Sequence, residues 1–311
     1  MKKPDVIVSE VGPRDGLQSI DSIMETSDKK AWIKALAQAG ISEIEVGSFV
    51  PAKLIPQLAD TKQIVEMSKT IEALDVAVLV PNLFGAKIAT EVGADKITLP
   101  FSVSETHSQK NLRRTHQQIF DEIKAIRSHI DGLEKNKQPH FEVSLSTAFG
   151  CTLEGKISEQ QVIEAAQQLA KLGADEVGLS DTTGYATPNH LKNLIKGVRA
   201  AIGEDMLTGV HLHNTRGLGL ANVIAALEMG ITTIDSSMAG IGGCPFAPGA
   251  SGNIVTEDLV FMLHSMGLET GIDFDKLLQA RDILAHALPE EELYGFIPEA
   301  GLPLGGIYDN A

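Results

Sequence analysis

Two histidines separated by one residue, His211 and His213, end the segment Leu207-Thr-Gly-Val-His-Leu-His213. On an extended chain, residues i and i+2 share a face, so both imidazoles can reach one divalent cation. Asp15, far upstream, follows the apolar run Val6–Val8 and could add an oxygen ligand. Each motif alone has a plainer explanation. A His-x-His pair also fits two satisfied strand histidines, and Arg14-Asp15 also fits a surface ion pair in a turn. The elements that carry them decide between these readings.

Four times a helix-like stretch ends in glycine and an apolar strand follows within a few residues, at Gly40, Gly93, Gly173 and Gly230. Glycine just past a helix accepts the left-handed backbone that other residues resist. Filling the intervals predicts strands near residues 5–9, 43–47, 76–80, 95–99, 141–146, 175–179, 207–211 and 232–236. Amphipathic helices are predicted between them, for example over 28–39 and after the capping-box sequence Ser158-Glu-Gln-Gln161. Regular β-then-α alternation implies a parallel sheet with right-handed crossovers. The expected fold is therefore an α/β, (β/α)8 TIM barrel over about residues 5–268, with a short C-terminal helical extension over about 269–311, in a single domain spanning 1–311. An open doubly wound sheet would usually carry a glycine-rich dinucleotide turn after its first strand, and Glu10-Val-Gly-Pro-Arg14 is not one.

In a barrel, chemistry belongs at the C-terminal ends of the strands. There the sequence places Arg14 and Asp15, then Glu45 and Ser48, Asn82, Asp181 and Thr182, and His211 and His213. The last strand leads to Ala239-Gly-Ile-Gly-Gly-Cys244-Pro245, with Asn253 close behind. Glu45 lies in a strand between Ile44 and Val46, where an unpaired charge is costly. Asp181 also fits a simple cap for the following turn. Cys244 also fits an inert thiol, but its glycine and proline neighbours read as a loop rather than core. Imine chemistry would need a lysine near a strand's C-terminal end. Lys96 begins its strand, at the wrong end, so metal-assisted chemistry is favoured.

Composition excludes other classes. The 311 residues carry 26 Lys and Arg against 41 Asp and Glu, a formal charge of −15. That balance argues against nucleic-acid or anionic-membrane partners. Two cysteines are too few for a disulfide framework, and no run is apolar enough for a signal peptide or a membrane span, so a reducing, cytoplasmic setting is expected.

The motif Val11-Gly-Pro-Arg-Asp-Gly-Leu-Gln18 resembles the first-strand signature of the DRE-TIM metallolyase family. More narrowly, Ala239–Pro245, Gly249-Ala-Ser-Gly-Asn253 and Thr256-Glu-Asp-Leu259 resemble the 3-hydroxy-3-methylglutaryl-CoA lyase branch. The resemblance runs from about residue 6 to 290. It implies a Mg2+ or Mn2+ ion held by Asp15, His211, His213 and Asn253, with Glu45 in support. It implies retro-Claisen cleavage of an acyl-CoA to acetyl-CoA and a 3-oxo acid such as acetoacetate, a reaction of leucine catabolism and ketone-body formation.

In that scheme Asp15 or His211 is the base, and the sequence does not choose between them. Arg14 steadies the enolate, and Cys244 returns the proton from a loop able to close over the site. Arg14, Ser48, Asn82 and Thr182 would contact substrate. Lys110, Arg113 and Arg114 fit either CoA phosphate contacts or a solvated basic turn. A homo-oligomer, as a dimer, is expected. The chain reads Asn214-Thr-Arg216 and Cys151-Thr-Leu153 where animal-type lyases have Asp-Thr-Tyr and Cys-Pro-Tyr. Both departures are expected near the acyl pocket, leaving another substrate such as citramalyl-CoA open. A Claisen-type condensing synthase and a non-enzymatic CoA-ester-binding barrel are the competing readings.

Overall fold

Strands whose odd and even residues differ in polarity build the framework. A computed structural model describes residues 4–242 and 252–304. Its strands are β1 (Ile7–Glu10), β2 (Glu43–Ser48), β3 (Asp75–Leu79), β4 (Lys96–Ser102), β5 (His140–Ser146), β6 (Glu176–Ser180), β7 (Gly209–His211) and β8 (Thr233–Ser236). They hydrogen-bond in chain order, all parallel, and close through β1–β8 pairing from Ile7↔Thr233 to Glu10↔Ser236. The expected eight-strand barrel is present, and the expected strands differ from these by a few residues at their ends.

Between and after the strands lie α1 (Thr26–Gln38), α2 (Thr61–Ser68), α3 (Leu83–Glu91), α4 (Glu105–Asn111), α5 (His116–Asp131), α6 (Glu159–Lys171), α7 (Pro188–Ile202), α8 (Gly219–Glu228), α9 (Thr256–Ser265), α10 (Phe274–Ala287) and α11 (Phe296–Ala300). Local chemistry starts several of them. Ser158 and Gln161 form the reciprocal capping box of α6, and Thr115 with Gln118 does the same for α5. Pro188 occupies the first turn of α7, where its missing N–H costs nothing. The inward faces then bury Val162, Ala166 and Leu169 on α6, and Leu191, Leu194, Ile195 and Val198 on α7. The C-terminal α10 packs on α1, and the Asp273 N–H donates to the Ala39 carbonyl at 2.7 Å where the two meet.

The period of two decides where the core lies. On β5, Phe141, Val143 and Leu145 are buried against the helices, while Glu142, Ser144 and Ser146 line the barrel interior. On β4, Ile97, Leu99 and Phe101 take the helix side, and Lys96, Thr98 and Pro100 face inward. The apolar core is thus a shell between sheet and helices, and the barrel interior is polar.

Lys96 closes the N-terminal end of that interior. Its Nζ lies 2.7 Å from Glu142, 3.6 Å from Glu43 and 3.5 Å from Glu176. Burial works against the ammonium, but the three carboxylates outweigh it and raise its pKa well above the ordinary lysine value. Burial and the neighbouring Glu176 charge push Glu142 up, despite Lys96. One lysine therefore bridges three carboxylates at the floor of the barrel, at the start of β4 rather than at the C-terminal strand end that imine chemistry would need. Lys96→Met strands buried carboxylates without their cation and should destabilise the fold by about 3–5 kcal/mol. Urea unfolding at neutral pH measures this, and a loss below about 1 kcal/mol would show that the carboxylates are neutralised in another way.

Candidate metal centre and its cavity

After β1 the chain makes one wide turn, Gly12–Gly16, that presents Arg14 and Asp15 over the barrel mouth. The Val11 carbonyl accepts from the N–H groups of Arg14 at 3.1 Å, Asp15 at 2.7 Å and Gly16 at 3.4 Å. Glu10 props this turn from below. Its Oε1 accepts from the backbone N–H of Gly12 at 2.8 Å and Met238 at 2.9 Å, and its Oε2 from the Thr256 hydroxyl at 2.7 Å. A Cβ at position 12 would stand 2.5 Å from Glu10 Oε1, so glycine is required there by the close approach. Complete burial pushes the Glu10 carboxyl up to about 8, so near neutral pH the prop is mostly uncharged.

Three potential ligand groups meet at the C-terminal mouth. Ligand atoms of Asp15, His211 and His213 all lie within 4.8 Å of one another. Strand β7 ends at His211, so His213 is held by a separate antiparallel bridge to Asn253 rather than by the strand itself. The expected shared face nevertheless exists, since the two Nε2 atoms are 3.0 Å apart. His211 Nδ1 is 3.1 Å from Asp235 Oδ2 on the adjacent strand, in the register His211↔Asp235. That contact fixes the ring with Nε2 turned to the cluster.

Two of the three protonation states, those of Asp15 and His213, suit a cation. Burial raises the Asp15 carboxyl, but Arg14, His211, His213 and the Asn253 amide overcome it and hold the pKa at about 2. Burial and the neighbouring His211 push His213 down to about 4, leaving a neutral imidazole. Burial lowers His211, yet its bond to Asp235 wins and raises it. One observation tests the fit directly. His213 is buried with no hydrogen bond to Nδ1 among the described residues, while its Nε2 confronts another imidazole nitrogen. Facing ring nitrogens beside a carboxylate are a donor set for a borderline or hard divalent cation.

Arg14 ties the cluster to the barrel. Its Nε donates to Glu45 Oε2 at 2.5 Å and its Nη1 to Asp15 Oδ1 at 2.6 Å. The Thr98 hydroxyl donates to the other Glu45 oxygen at 2.6 Å, and Gln18 Nε2 donates to Asp15 at 3.0 Å. Asn253 Nδ2 donates to Asp15 Oδ2 at 2.7 Å, so in this arrangement Asn253 presents its amide nitrogen, not its oxygen, to the cluster.

Arg14, Asp15, Glu45, His211 and His213 share one cavity of about 740 Å3 with Asn82 and Thr182. Asn82 is also the N-cap of α3, its Oδ1 accepting from the Gly85 N–H at 3.0 Å, and the Thr182 hydroxyl accepts from the Thr147 N–H at 3.0 Å. Ser48 departs from expectation. It is buried off the cavity wall, and its hydroxyl accepts from the Val50 N–H at 3.2 Å, shaping the turn after β2. Asp181 does cap the following turn, accepting from the N–H groups of Tyr185 at 2.7 Å and Ala186 at 3.1 Å. Burial still pushes its pKa up to about 6.

Arg216, expected near the acyl pocket, is not itself on the cavity wall. It lies 4.5 Å over the Tyr185 ring and donates to the carbonyls of Thr183 and Gly184 at 3.0 Å each, clamping the loop after β6 instead of lining the cavity. Leu153 likewise lies off the cavity wall, and the buried Cys151 Sγ accepts from its N–H at 3.3 Å.

Cys244 lies outside the described residues. The residues flanking that segment stand at the cluster: a Cβ on Gly242 would be 3.3 Å from Asp15 Oδ2, and the Gly252 carbonyl accepts from the Asn214 N–H at 3.2 Å. Asp235 and Glu10 escaped the sequence reading. Asp235 had a signal, an acid on the inward-facing phase of Thr233-Ile-Asp-Ser236, but its partner across the sheet depends on register. Glu10 had none, because a strand-end glutamate looks solvated until β8 and α9 are packed over it.

The HMGL-like family model matches residues 5–284. The chain is 39% identical over 285 residues to the mitochondrial hydroxymethylglutaryl-CoA lyase of Homo sapiens, covering 91% of this chain and 86% of that protein. It is 39% identical over 283 residues to the cytoplasmic 3-hydroxy-3-methylglutaryl-CoA lyase of Rattus norvegicus, covering 91% and 81% respectively. Among solved structures, an HMG-CoA lyase of Acinetobacter baumannii in complex with coenzyme A and 3-methylmalate superposes with a TM-score of 0.89 at 40% identity, covering 97% of this chain and 96% of that one. The hydroxymethylglutaryl-CoA lyase of Pseudomonas aeruginosa gives 0.86 at 33% identity, covering 94% and 96%.

Asp235→Asn keeps the shape of the side chain but weakens the partner that orients His211. It should weaken Mn2+ binding about 10- to 100-fold, read by calorimetric titration. Unaltered affinity would mean that His211 is oriented without Asp235.

Proposed function

The chain belongs to the HMGL-like family, and from that membership we propose that it is a divalent-metal-dependent carbon–carbon lyase that cleaves 3-hydroxy-3-methylglutaryl-CoA to acetyl-CoA and acetoacetate. These products would tie it to leucine breakdown and ketone-body formation. The observation that carries the reading is the meeting of Asp15, His211 and His213 with Arg14 in one cavity at the C-terminal mouth of the barrel. Two carboxylate–imidazole and imidazole–imidazole contacts alone would suit many metalloproteins. The ion-paired arginine beside them is what suits an enolate-forming cleavage.

The proposed ligands are Asp15, His211 and His213, with Asn253 joining through its amide oxygen, and Mg2+ or Mn2+ as the ion. When bound, such an ion supplies Lewis acidity that eases loss of the proton from a tertiary hydroxyl. Proton removal falls to Asp15 or His211, the two bases beside the cluster. Cleavage leaves negative charge on the thioester oxygen, and Arg14 is the proposed partner for it. Glu45 and Asp15 hold its Nε and Nη1, and Nη2 is bonded to neither. A guanidinium fixed in advance stabilises the developing charge without reorganising as the bond breaks. Glu45 acts by holding that guanidinium, with Thr98 behind it. The enolate carbon then needs a proton, and Cys244 is the proposed donor. Asn82 and Thr182 are the proposed wall contacts for the acyl chain and thioester. A dimer in a cytoplasmic setting completes the reading.

Acetyl-CoA release from 3-hydroxy-3-methylglutaryl-CoA tests it. Release should appear with Mg2+ or Mn2+ and vanish with excess EDTA. Arg14→Ala should lower kcat about 10²- to 10³-fold with a smaller change in KM. Cys244→Ala should also act on turnover. Release that persists in EDTA would sink the metal-dependent mechanism, and near-full turnover by Cys244→Ala would remove that residue as the acid.

A further inference from the structure

We infer that Arg113, with Lys110 beside it, is the docking point for the phosphate groups of the thioester carrier, and that it sets selectivity for a coenzyme A ester over a phosphate-free thioester. The inference rests on the lyase reading for its substrate class. Its own support lies in a stretch of the cavity wall contributed by a different segment of the chain from the candidate metal ligands. The α4–α5 junction contributes Lys110, Asn111, Leu112, Arg113 and Arg114 to the same cavity that Arg14, Asp15 and His211 line. One continuous space therefore has a compact ligand cluster in one part of its wall and a cationic stretch in another.

The charge balance makes that stretch unusual. The chain carries a formal −15, so an anionic ligand meets repulsion over much of the surface and gains from a local concentration of cations. Three cations on this wall have carboxylate partners. Arg14 is held by Asp15 and Glu45, and Lys96 by its three glutamates. Arg114 pairs with Glu122 at 2.7 Å, and Glu122 in turn accepts from the Leu83 N–H at 2.8 Å, so Arg114 fastens α5 to α3. No carboxylate among the described residues pairs with the exposed Arg113.

The junction is also firmly built. The Ser108 hydroxyl donates to the Arg114 carbonyl at 2.8 Å, and the His116 ring contacts the Ser102 carbonyl at 2.8 Å. Thr115 and Gln118 close the capping box of α5. Between these anchors Arg113 has φ +54°, in the left-handed region where side chains other than Gly, Asn and Asp are disfavoured. Ordinary turn chemistry would place glycine or asparagine there. A fixed backbone that holds a long cation at the cavity wall is a preorganised phosphate contact. Coenzyme A carries a pyrophosphate and a further ribose phosphate at the end remote from the thiol. Its apolar-to-amide arm suits the wall formed by Val50, Pro51, Leu54 and Leu79.

Arg113→Asn removes the charge and leaves a residue at ease with this backbone, so loss of folding does not confuse the result. Calorimetric titration with free coenzyme A should show Kd raised about three- to tenfold, while pantetheine binds equally to both proteins. Raising the ionic strength should weaken coenzyme A binding to the original protein more steeply than to the variant. Arg113→Lys should recover part of the affinity, and Lys124→Ala, which removes an exposed cation of α5 outside the cavity wall, should change nothing. With the acyl-CoA substrate the effect should fall on KM rather than kcat.

Coenzyme A binding that is absent or indifferent to Arg113 would overturn the inference. An equal loss with pantetheine would also overturn it, since the contact would then not be to phosphate. Binding requires no turnover, so Arg113-dependent coenzyme A binding without acetyl-CoA release would uphold this assignment and overturn the lyase reading alone.

Discussion

The arginine between two carboxylates is the constraint around which the site is organised. Arg14 stands at the mouth of the barrel with Glu45 and Asp15 within hydrogen-bond reach, and all three side chains are at most 15% exposed. Removing Arg14 would leave two partly desolvated carboxylates without their cation, and removing either carboxylate would leave the guanidinium one counter-ion instead of two. The three positions are therefore coupled. Asp15 comes from the turn after β1 and Glu45 from β2, so the ion pairs also pin the turn Gly12–Gly16 to the neighbouring strand. This same coupling keeps Asp15 ionised, with Oδ1 bonded to Arg14 and Gln18 and Oδ2 bonded to Asn253.

Support extends outward from that group in two directions. Towards β8, Asp235 fixes His211, and register brings the two side chains opposite each other. Beneath the turn, Glu10 gathers donors from Gly12, Met238 and Thr256, and so links the segment after β1 to the segment after β8. Glu257 repeats the device one turn away, accepting from the Ala239 N–H at 3.0 Å and from Arg281 of α10 at 2.5 Å. The C-terminal helix thus reaches the site through a single buried ion pair. Such contacts give buried partners to the backbone N–H groups of Gly12, Met238 and Ala239 beside the candidate site.

The polar barrel interior has a functional corollary. A barrel filled with layers of branched apolar side chains has no space at its centre. Here serines, threonines and paired charges line the inside of the strands, and a cavity of about 740 Å3 opens through the mouth. Lys96 and its glutamates occupy the far end, and Asp15, His211 and His213 stand at the mouth.

The sequence by itself determined the strand–helix order, the barrel, and most of the candidate site. Period-two and period-3.6 patterns, glycine stops and capping boxes are local, and they report which residues face inward without any knowledge of partners. They sufficed for Arg14, Asp15, Glu45, Asn82, Thr182 and the two histidines, which all reach the cavity wall. Ser48 and Arg216 lie off that wall, each bonded to neighbouring backbone: the Val50 N–H donates to the Ser48 hydroxyl, and the Arg216 guanidinium donates to the carbonyls of Thr183 and Gly184. Asp235 and Glu10 were decided only by tertiary structure. One acts across a strand register and the other beneath two distant segments, and neither distance is encoded in spacing along the chain. Position on a strand follows from local sequence; the partner that holds a side chain in place follows from which strands become neighbours.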